Sequence, residues 1–269
     1  MNLTLVQLAQ TGGDVAGNVD RAERAVRDAA AAGADLVVLP ELFTVGYFAF
    51  DSYAREAEGL DGPTLTRFAD LAAELGVGLL AGSVVEDLEA SAAAGVDVPA
   101  PEGLANTAAF FDRDGERRGV YRKHHLFGYG SAETRLLTPG ERLSTVKFEG
   151  FTVGVSTCYD LRFPELYREY AERGATLVLV PSAWPYPRVE HWQVLTRARA
   201  IENLTYLAAA NGAGAFDEAT LLGRSTVYDP WGTPLASAGD EPTLVSATLD
   251  PARVTEVREE FPAWTDRRE

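Results

Sequence analysis

The feature that most constrains the fold of this chain is a strand–helix–strand unit that occurs twice. Each copy ends in Gly-Ala followed by an apolar strand and a proline, at residues 33–40 and 174–181, and five of the eight positions are identical. A continuous apolar run next to a helix is typical of a strand buried on both faces of a parallel sheet. Two copies therefore predict two related sheets with helices outside, in an α/β fold.

The remaining elements are predicted from hydrophobic periodicity and turn residues. Asn18 is expected to cap the first helix and Gly33 to end it. The helices are predicted over residues 18–32, 64–75, 163–173 and 189–203, with a closing helix from Pro251. The strands are predicted over residues 3–8, 35–39, 77–85, 107–111, 120–122, 151–157, 176–180, 206–210, 225–228 and 244–249. The segment 86–103 has no clear period and is expected to be a surface insertion.

Length and composition limit the possible classes of protein. A chain of 269 residues can form one large domain, and because no linker divides it we expect a single domain over residues 1–269. The formal charge of −16 argues against nucleic acid and anionic membranes as partners. No apolar run approaches the roughly 20 residues of a membrane-spanning helix. The N-terminus lacks a secretory signal, so a cytoplasmic location is expected.

One cysteine and three histidines bear on cofactors and metals. A single cysteine excludes an intramolecular disulfide and a cysteine-rich zinc or iron–sulfur site. With two of the three histidines adjacent, the chain offers no closed ligand set for a metal. The sequence therefore predicts neither a metal nor another cofactor.

Cys158 is the first candidate for chemistry. It ends an apolar strand and immediately precedes a helical segment, which is where α/β sheets place reactive groups. A strand–turn–helix elbow exposes a side chain and aims backbone N–H groups at a developing oxyanion. A free thiol has a pKa of about 8.5, so a nucleophilic thiol needs a neighbouring base or cation. The alternative is a small buried apolar residue.

Three further segments could supply the base and the cation. Glu41 follows a buried strand end in Leu-Pro-Glu-Leu-Phe, Lys123 follows a strand among aromatic residues, and Glu133 precedes a turn. Each of these side chains, taken alone, could equally be a solvated surface charge. Their type is nevertheless suited to proton transfer and to oxyanion stabilisation.

The order of the motifs resembles the nitrilase superfamily of carbon–nitrogen hydrolases. The resemblance covers nearly the whole chain, and Cys-Tyr-Asp-Leu-Arg-Phe-Pro-Glu at residues 158–165 is similar to the amidase branch that includes the omega-amidases. The other motifs are Leu-Pro-Glu-Leu-Phe at 39–43, Tyr-Arg-Lys-His-His-Leu-Phe at 121–127, Pro-Ser-Ala-Trp at 181–184, His-Trp at 191–192, Arg-Ala-Arg-Ala-Ile-Glu-Asn at 197–203 and Asp-Pro-Trp-Gly at 229–232.

The resemblance implies a role for each of four residues. Glu41 would be the general base and acid, Lys123 the oxyanion stabiliser and Cys158 the nucleophile, while Glu133 would help to position substrate and lysine. It also implies a four-layer αββα sandwich, and pairing of subunits into a homodimer or a higher oligomer. The expected reaction is hydrolysis of a small amide substrate to acid and ammonia through a cysteine thioester.

Four residues are expected to bind substrate. The backbone N–H of Tyr159 would assist the oxyanion, and Trp184 lies in a loop that should border the site. Arg188 in the same proline-rich loop could bind a substrate carboxylate, or could instead pair with Glu190. His191 is predicted to be a packing or pocket residue. Asp160 and Arg162 could also form an ion pair that fixes the elbow.

Other functions are compatible with the same residues. The four catalytic candidates could equally serve an N-carbamoyl amidohydrolase or a nitrile-hydrolysing enzyme. A papain-like Cys–His pair is conceivable because two histidines follow Lys123, although the elbow lacks the glycines typical of glutamine amidotransferases. A catalytically silent binding scaffold is the non-enzymatic alternative.

Overall fold

The computed structural model describes residues 1–217 and 219–266. The strands are β1 (Asn2–Gln7), β2 (Leu36–Val38), β3 (Gly78–Asp87), β4 (Leu104–Phe111), β5 (Arg117–Arg122), β6 (Thr145–Phe148), β7 (Phe151–Val155), β8 (Leu177–Ser182), β9 (Tyr206–Asn211), β10 (Ala213–Ala215), β11 (Thr220–Leu222), β12 (Thr226–Tyr228), β13 (Pro234–Ser237) and β14 (Thr243–Thr248). The helices are α1 (Val15–Ala31), α2 (Tyr53–Glu56), α3 (Pro63–Leu75), α4 (Leu88–Ala93), α5 (Glu133–Leu136), α6 (Pro164–Glu172), α7 (Val189–Asn203) and α8 (Ala252–Glu260), with short 3₁₀ turns at Phe50–Ser52, Cys158–Arg162 and Ala263–Asp266.

Two six-stranded mixed sheets have the same plan. Their strand orders are β14-β1-β2-β3-β4-β5 and β6-β7-β8-β9-β12-β13. In each sheet three parallel strands lie in the middle, and antiparallel strands flank them. Leu36 pairs with Leu3 on β1, and Leu177, at the same place in the repeat, pairs with Val153 on β7. The repeat in the sequence therefore corresponds to two equivalent halves of the fold.

The alternation of side chains along β2 shows which layer packs against each face of the first sheet. On β2, Leu36 and Val38 belong to a core cluster that also contains residues of β7, β8 and β9, so this face packs against the other sheet. Val37 belongs instead to a cluster with residues of α1 and α3, which cover the outer face. Residues of α6 and α7 pack on the other side of the second sheet. This gives the predicted αββα sandwich, and because the sheets share one core we propose that residues 1–269 form one domain.

Two local predictions were wrong. Asp14, and not Asn18, caps α1, since its side chain accepts from the Gly17 amide. Asn18 lies inside the helix, where its buried side chain donates to two loop carbonyls. The segment 86–103 begins as part of β3 and contains α4, whose Leu88 and Ser91 are buried. Its alanine-rich composition obscured these few inward-facing positions.

An irregularity in β3 positions the loop after β2. The pairing of β3 with β4 shifts between Ala81 and Val84, and such a bulge re-aims the backbone. Gly82 lies so close to the β2 end that a Cβ atom there would be 2.0 Å from the Pro40 carbonyl oxygen. Ser83 then accepts the Leu42 amide at 2.8 Å. The loop that carries Glu41 is thus held directly against β3.

In the part of the chain that the structure describes, no helix combines the length and the apolar character needed to cross a bilayer.

Candidate active site

Cys158 sits at a sharp turn between β7 and a 3₁₀ turn. Its φ of 48° lies in the left-handed region, which is costly for a residue with a Cβ atom. The Thr157 amide donates to the Asp160 carboxylate at 2.9 Å, and the Asp160 amide donates to the Thr157 carbonyl at 3.0 Å. The strand–turn–helix elbow expected from the sequence is therefore present, with backbone strain at the residue that carries the thiol.

Asp160 anchors this elbow to the opposite sheet. Its carboxylate accepts from the Thr157 amide at 2.9 Å, the Tyr121 hydroxyl at 2.6 Å and the His125 backbone N–H at 2.9 Å, and it lies 2.8 Å from His125 Nδ1. Because these groups occupy both carboxylate oxygens, the predicted ion pair with Arg162 is wrong. The contacts tie the turn to the segment in which Lys123 lies.

The structure brings the four catalytic candidates together. Lys123 Nζ lies 2.8 Å from Glu41 Oε1, 2.8 Å from Glu133 Oε1 and 3.1 Å from Glu133 Oε2. The Cys158 thiol lies beside the Glu41 carboxylate and interacts with it electrostatically. All four are buried, with Cys158 the most exposed at 8%. Such a cluster, which opens to a cavity at the thiol, is arranged for proton transfer and charge stabilisation.

Burial and charge set the protonation of the thiol and its partner. Burial raises the pKa of Cys158 well above its ordinary value, and the Glu41 carboxylate adds to this increase while Lys123 opposes it. Burial also raises the pKa of Glu41, with Lys123 lowering it and Glu133 raising it. The resting thiol is therefore neutral, and it must transfer its proton as it attacks.

Lys123 remains charged despite its burial. Desolvation alone would lower the pKa of the ammonium, but the Glu133 and Glu41 carboxylates raise it well above the ordinary value of a lysine. A permanent positive charge next to the thiol can stabilise an oxyanion without being rearranged during the reaction. This is the chemistry that the position of Lys123 supports.

Several groups that orient the carboxylates were not found from the sequence. The Tyr47 hydroxyl donates to Glu133 Oε2 at 3.0 Å, and the Phe127 amide donates to the same oxygen at 2.7 Å. The Ala183 amide donates to Glu41 Oε2 at 2.9 Å. Asn106 donates from Nδ2 to Glu41 Oε1 at 2.9 Å. An aromatic loop residue, an asparagine inside a strand and two backbone N–H groups carry no motif of their own.

A cavity of about 400 Å³ opens above the thiol. Tyr159, Trp184 and Arg188 lie in its wall, and their binding of substrate stays a prediction. His191 is not among the described residues that line the wall, so its prediction as a pocket residue is wrong; its exposed side chain instead accepts a hydrogen bond from Arg162. The full lining is Tyr47, Phe48, Lys123, Phe127, Tyr129, Gly130, Cys158, Tyr159, Arg162, Ala183, Trp184, Pro185, Tyr186, Pro187, Arg188 and Ala219.

Two arginines in the wall have no carboxylate partner among the described residues. The Arg162 guanidinium lies over the Trp184 ring, 5.0 Å from its centroid, and donates to His191 Nδ1 at 3.1 Å. The Arg188 guanidinium lies 5.7 Å from the centroid of Phe127. The ion pair with Glu190, considered as the alternative for Arg188, does not form. Both positive charges are therefore available to an anionic group in the cavity.

The possibility of a metal site can be tested on the side chains themselves. Within residues 1–217 and 219–266, no group of three or more His, Cys, Asp and Glu side chains is arranged to hold a metal ion.

Comparison with known proteins places this geometry in a family. The carbon–nitrogen hydrolase family model matches residues 2–259. A 2-oxoglutaramate amidase of Paenarthrobacter nicotinovorans is 38% identical over 240 residues, covering 87% of this chain and 79% of the relative. The human omega-amidase NIT2 is 36% identical over 277 residues, covering 99% of this chain and 94% of the relative.

Solved structures agree with this result. Nit3 of Saccharomyces cerevisiae, described as a member of branch 10 of the nitrilase superfamily, superposes with a TM-score of 0.88 and 31% identity, covering 100% of this chain and 97% of that one. A glutamate-to-glutamine mutant of an amidase from Nesterenkonia sp. AN1 has a TM-score of 0.81 at 29% identity, covering 97% and 96%. That structure shows covalent addition of the acetamide moiety of fluoroacetamide at the active-site cysteine.

Proposed function

The chain belongs to the carbon–nitrogen hydrolase family, and from that premise we propose that it hydrolyses the terminal amide of a short dicarboxylic acid monoamide, such as 2-oxoglutaramate. It is a thiol-dependent amide hydrolase, and it has one cysteine. The finer assignment concerns the substrate and the role of each residue.

The proposed reaction begins with proton transfer from Cys158 to Glu41. As the proton leaves, Sγ attacks the amide carbon and the C=O bond becomes a single bond to an oxyanion. Lys123 and the backbone N–H of Tyr159 hold that oxyanion. Glu41 then gives the proton to the amide nitrogen, the C–N bond breaks, and ammonia leaves a thioester on Cys158.

The second half of the reaction reverses the order. Glu41 takes a proton from water while the water oxygen attacks the thioester carbon. The tetrahedral oxyanion collapses, the C–S bond breaks, and the proton on Glu41 returns to the thiolate. Glu133 is not consumed in this cycle. Its two contacts with Lys123 fix the ammonium where both oxyanions form.

One observation carries the substrate assignment: Arg162 and Arg188 line the cavity without a carboxylate partner among the described residues. The catalytic groups handle the amide, so selectivity depends on groups further out. A chain of charge −16 repels anions at long range, and a local pair of guanidinium groups can overcome this by charge-assisted hydrogen bonds. The relatives named omega-amidase and 2-oxoglutaramate amidase support the same class of substrate.

The test compares two five-carbon amides, glutaramate with a distal carboxylate and valeramide without one. Arg162→Gln and Arg188→Gln are each expected to raise KM for glutaramate by about 10- to 100-fold, because each removes a charge-assisted hydrogen bond. The kinetics of valeramide should not change. Ammonia release measured at several substrate concentrations provides both constants.

Arg24→Gln serves as the matched control, since it removes one exposed positive charge on α1, far from the cavity. It should leave both substrates unaffected. Equal losses on both amides in the cavity variants would show that the arginines hold the loop and not the substrate. Faster ammonia release by the wild type from valeramide, a nitrile or an N-carbamoyl compound would reject the proposed substrate class.

We propose that α7 faces the partner subunit in the homodimer that the family resemblance implies. Its Val194 is 60% exposed and its Ile201 is 45% exposed, which is unfavourable for a free helix face with two large apolar side chains. Sedimentation velocity should therefore find at least a dimer, and a monomer at micromolar concentration would contradict this. The cytoplasmic location stays a prediction.

A further inference from the structure

Asn106 lies inside the buried charge cluster, on β4, with 1% of its surface exposed. Its Nδ2 is 2.9 Å from Glu41 Oε1 and 3.4 Å from Glu133 Oε1. The same two oxygens each accept a hydrogen bond from Lys123 Nζ. One amide group and one ammonium thus bridge the same pair of carboxylate oxygens.

The charge balance of the cluster explains why a second donor is needed. Glu41 and Glu133 bring two negative charges to a site from which water is excluded, and Lys123 supplies one positive charge. Burying an excess charge is unfavourable unless hydrogen bonds compensate for it. Asn106 is a neutral side chain that donates to both carboxylates, so it can reduce their mutual repulsion without adding another charge.

The orientation of the amide supports this role. Asn106 Oδ1 has no hydrogen-bond partner among the described residues, and leaving a buried acceptor unpaired is costly. Turning the amide over would place Oδ1 against two carboxylate oxygens, which is worse. The Asn106 carbonyl also accepts the Lys123 amide at 2.9 Å. The backbone therefore holds the two bridging donors next to each other.

We propose that Asn106 is a positioning residue that keeps Glu41 ionised and held in place for the proton of Cys158, a role that rests on the proposed function of Glu41 as the base. Among the described residues, the ionisable groups that interact with Glu41 include Lys123, Glu133, Cys158, Tyr47 and Tyr53. The Tyr47 hydroxyl is also a neutral donor, but it donates to Glu133 Oε2 and not to Glu41.

The test is the pH dependence of kcat/KM for Asn106→Leu, measured with whichever amide the wild type hydrolyses fastest. Removing a hydrogen bond to the ionised form raises the pKa of Glu41. The acid limb of the profile should therefore move up by about one to two pH units. KM above that limb should be unchanged, and much of the activity should return at higher pH. A large loss of activity with an unmoved acid limb would overturn the proposal.

Two further variants separate positioning from general damage. Asn18→Leu removes a buried asparagine of α1 outside the cluster, and its acid limb should stay at the wild-type pH. Asn106→Asp keeps the shape but exchanges the donor for a third acid. The acid limb of its kcat/KM profile should therefore move to a still higher pH. Should Asn106→Leu fail to fold, Asn106→Ala takes its place, and an unmoved limb in Asn106→Ala and Asn106→Asp would equally overturn the proposal.

The same measurement stays independent of the substrate assignment. If the carboxylate specificity fails, the acid limb is still read with a neutral amide. If Glu41 is not the base, Glu41→Gln retains turnover, which is a different result from an unmoved limb in the Asn106 variants.

Discussion

Cys158→Ala is expected to lower kcat for amide hydrolysis by roughly 10⁵-fold or more, because the thioester cannot form without the thiol. The chain contains no second cysteine that could take over. Cys158→Ser should be nearly as inactive, since a hydroxyl is far harder to deprotonate than the thiol that Glu41 faces. Ammonia release is the measurement, and retention of even a tenth of the wild-type rate would reject the mechanism.

The same substitution should leave the protein folded. Removing one sulfur atom from a site that opens to the cavity is expected to change the free energy of unfolding by no more than about 1.5 kcal/mol. Cys158→Gly should be at least as stable as Cys158→Ala, since glycine adopts a φ of 48° without the cost that alanine has. Thermal unfolding of the wild type, Cys158→Ala and Cys158→Gly distinguishes an inactive enzyme from an unfolded one. The difference in stability between the Ala and Gly variants measures the backbone strain at residue 158.

The paired sheets could be predicted because the repeat lies in the strands that form their centres. Residues 36–40 and 177–181 are apolar throughout, and this requires burial on both faces of β2 and β8. The family, the αββα fold class and the amide hydrolase function predicted from the motifs are confirmed by the comparisons. β6 was not predicted because its four residues mix apolar and polar types and lie at a sheet edge.

The catalytic cluster was predicted by residue type and order, but its electrostatics were not. Glu41, Lys123 and Glu133 lie far apart in the sequence, and only the fold shows that one ammonium contacts both carboxylates. The predicted ion pair between Asp160 and Arg162 was wrong for the same reason. Asp160 and Arg162 are close in sequence, yet Asp160 bonds to β5 and the segment after it, while Arg162 turns towards the cavity.

Backbone strain was beyond prediction from sequence. Leu42 and Cys158 both have positive φ, although neither is a residue that favours this conformation. Leu42 follows β2 of the first sheet, and Cys158 follows β7 of the second. These backbone conformations bring Glu41 and Cys158 next to each other, and the surrounding hydrogen bonds stabilise the strained turns. Sites of this kind are where local sequence preference and the final structure disagree.

Glu41→Gln is expected to lower kcat by about 1000-fold or more, since one carboxylate transfers protons in both halves of the reaction. Glutamine retains the shape and can still meet the Ala183 amide, so folding should be preserved. A variant that kept a tenth of the activity would remove Glu41 from the role of base. Asn106→Leu is the useful comparison, because it should lose activity at low pH and recover at high pH, whereas Glu41→Gln should not recover.

The pH dependence of Cys158 alkylation then separates a base from a mere neighbour. In the wild type the rate of reaction with iodoacetamide should follow ionisation of Glu41, whose pKa burial raises above the ordinary carboxyl value. The rate should therefore fall as the pH drops through that pKa and level off above it. In Glu41→Gln the thiol must ionise by itself, and its rate should keep rising about tenfold per pH unit up to the pKa of the thiol. Identical profiles for the two proteins would mean that Lys123, and not Glu41, activates the sulfur.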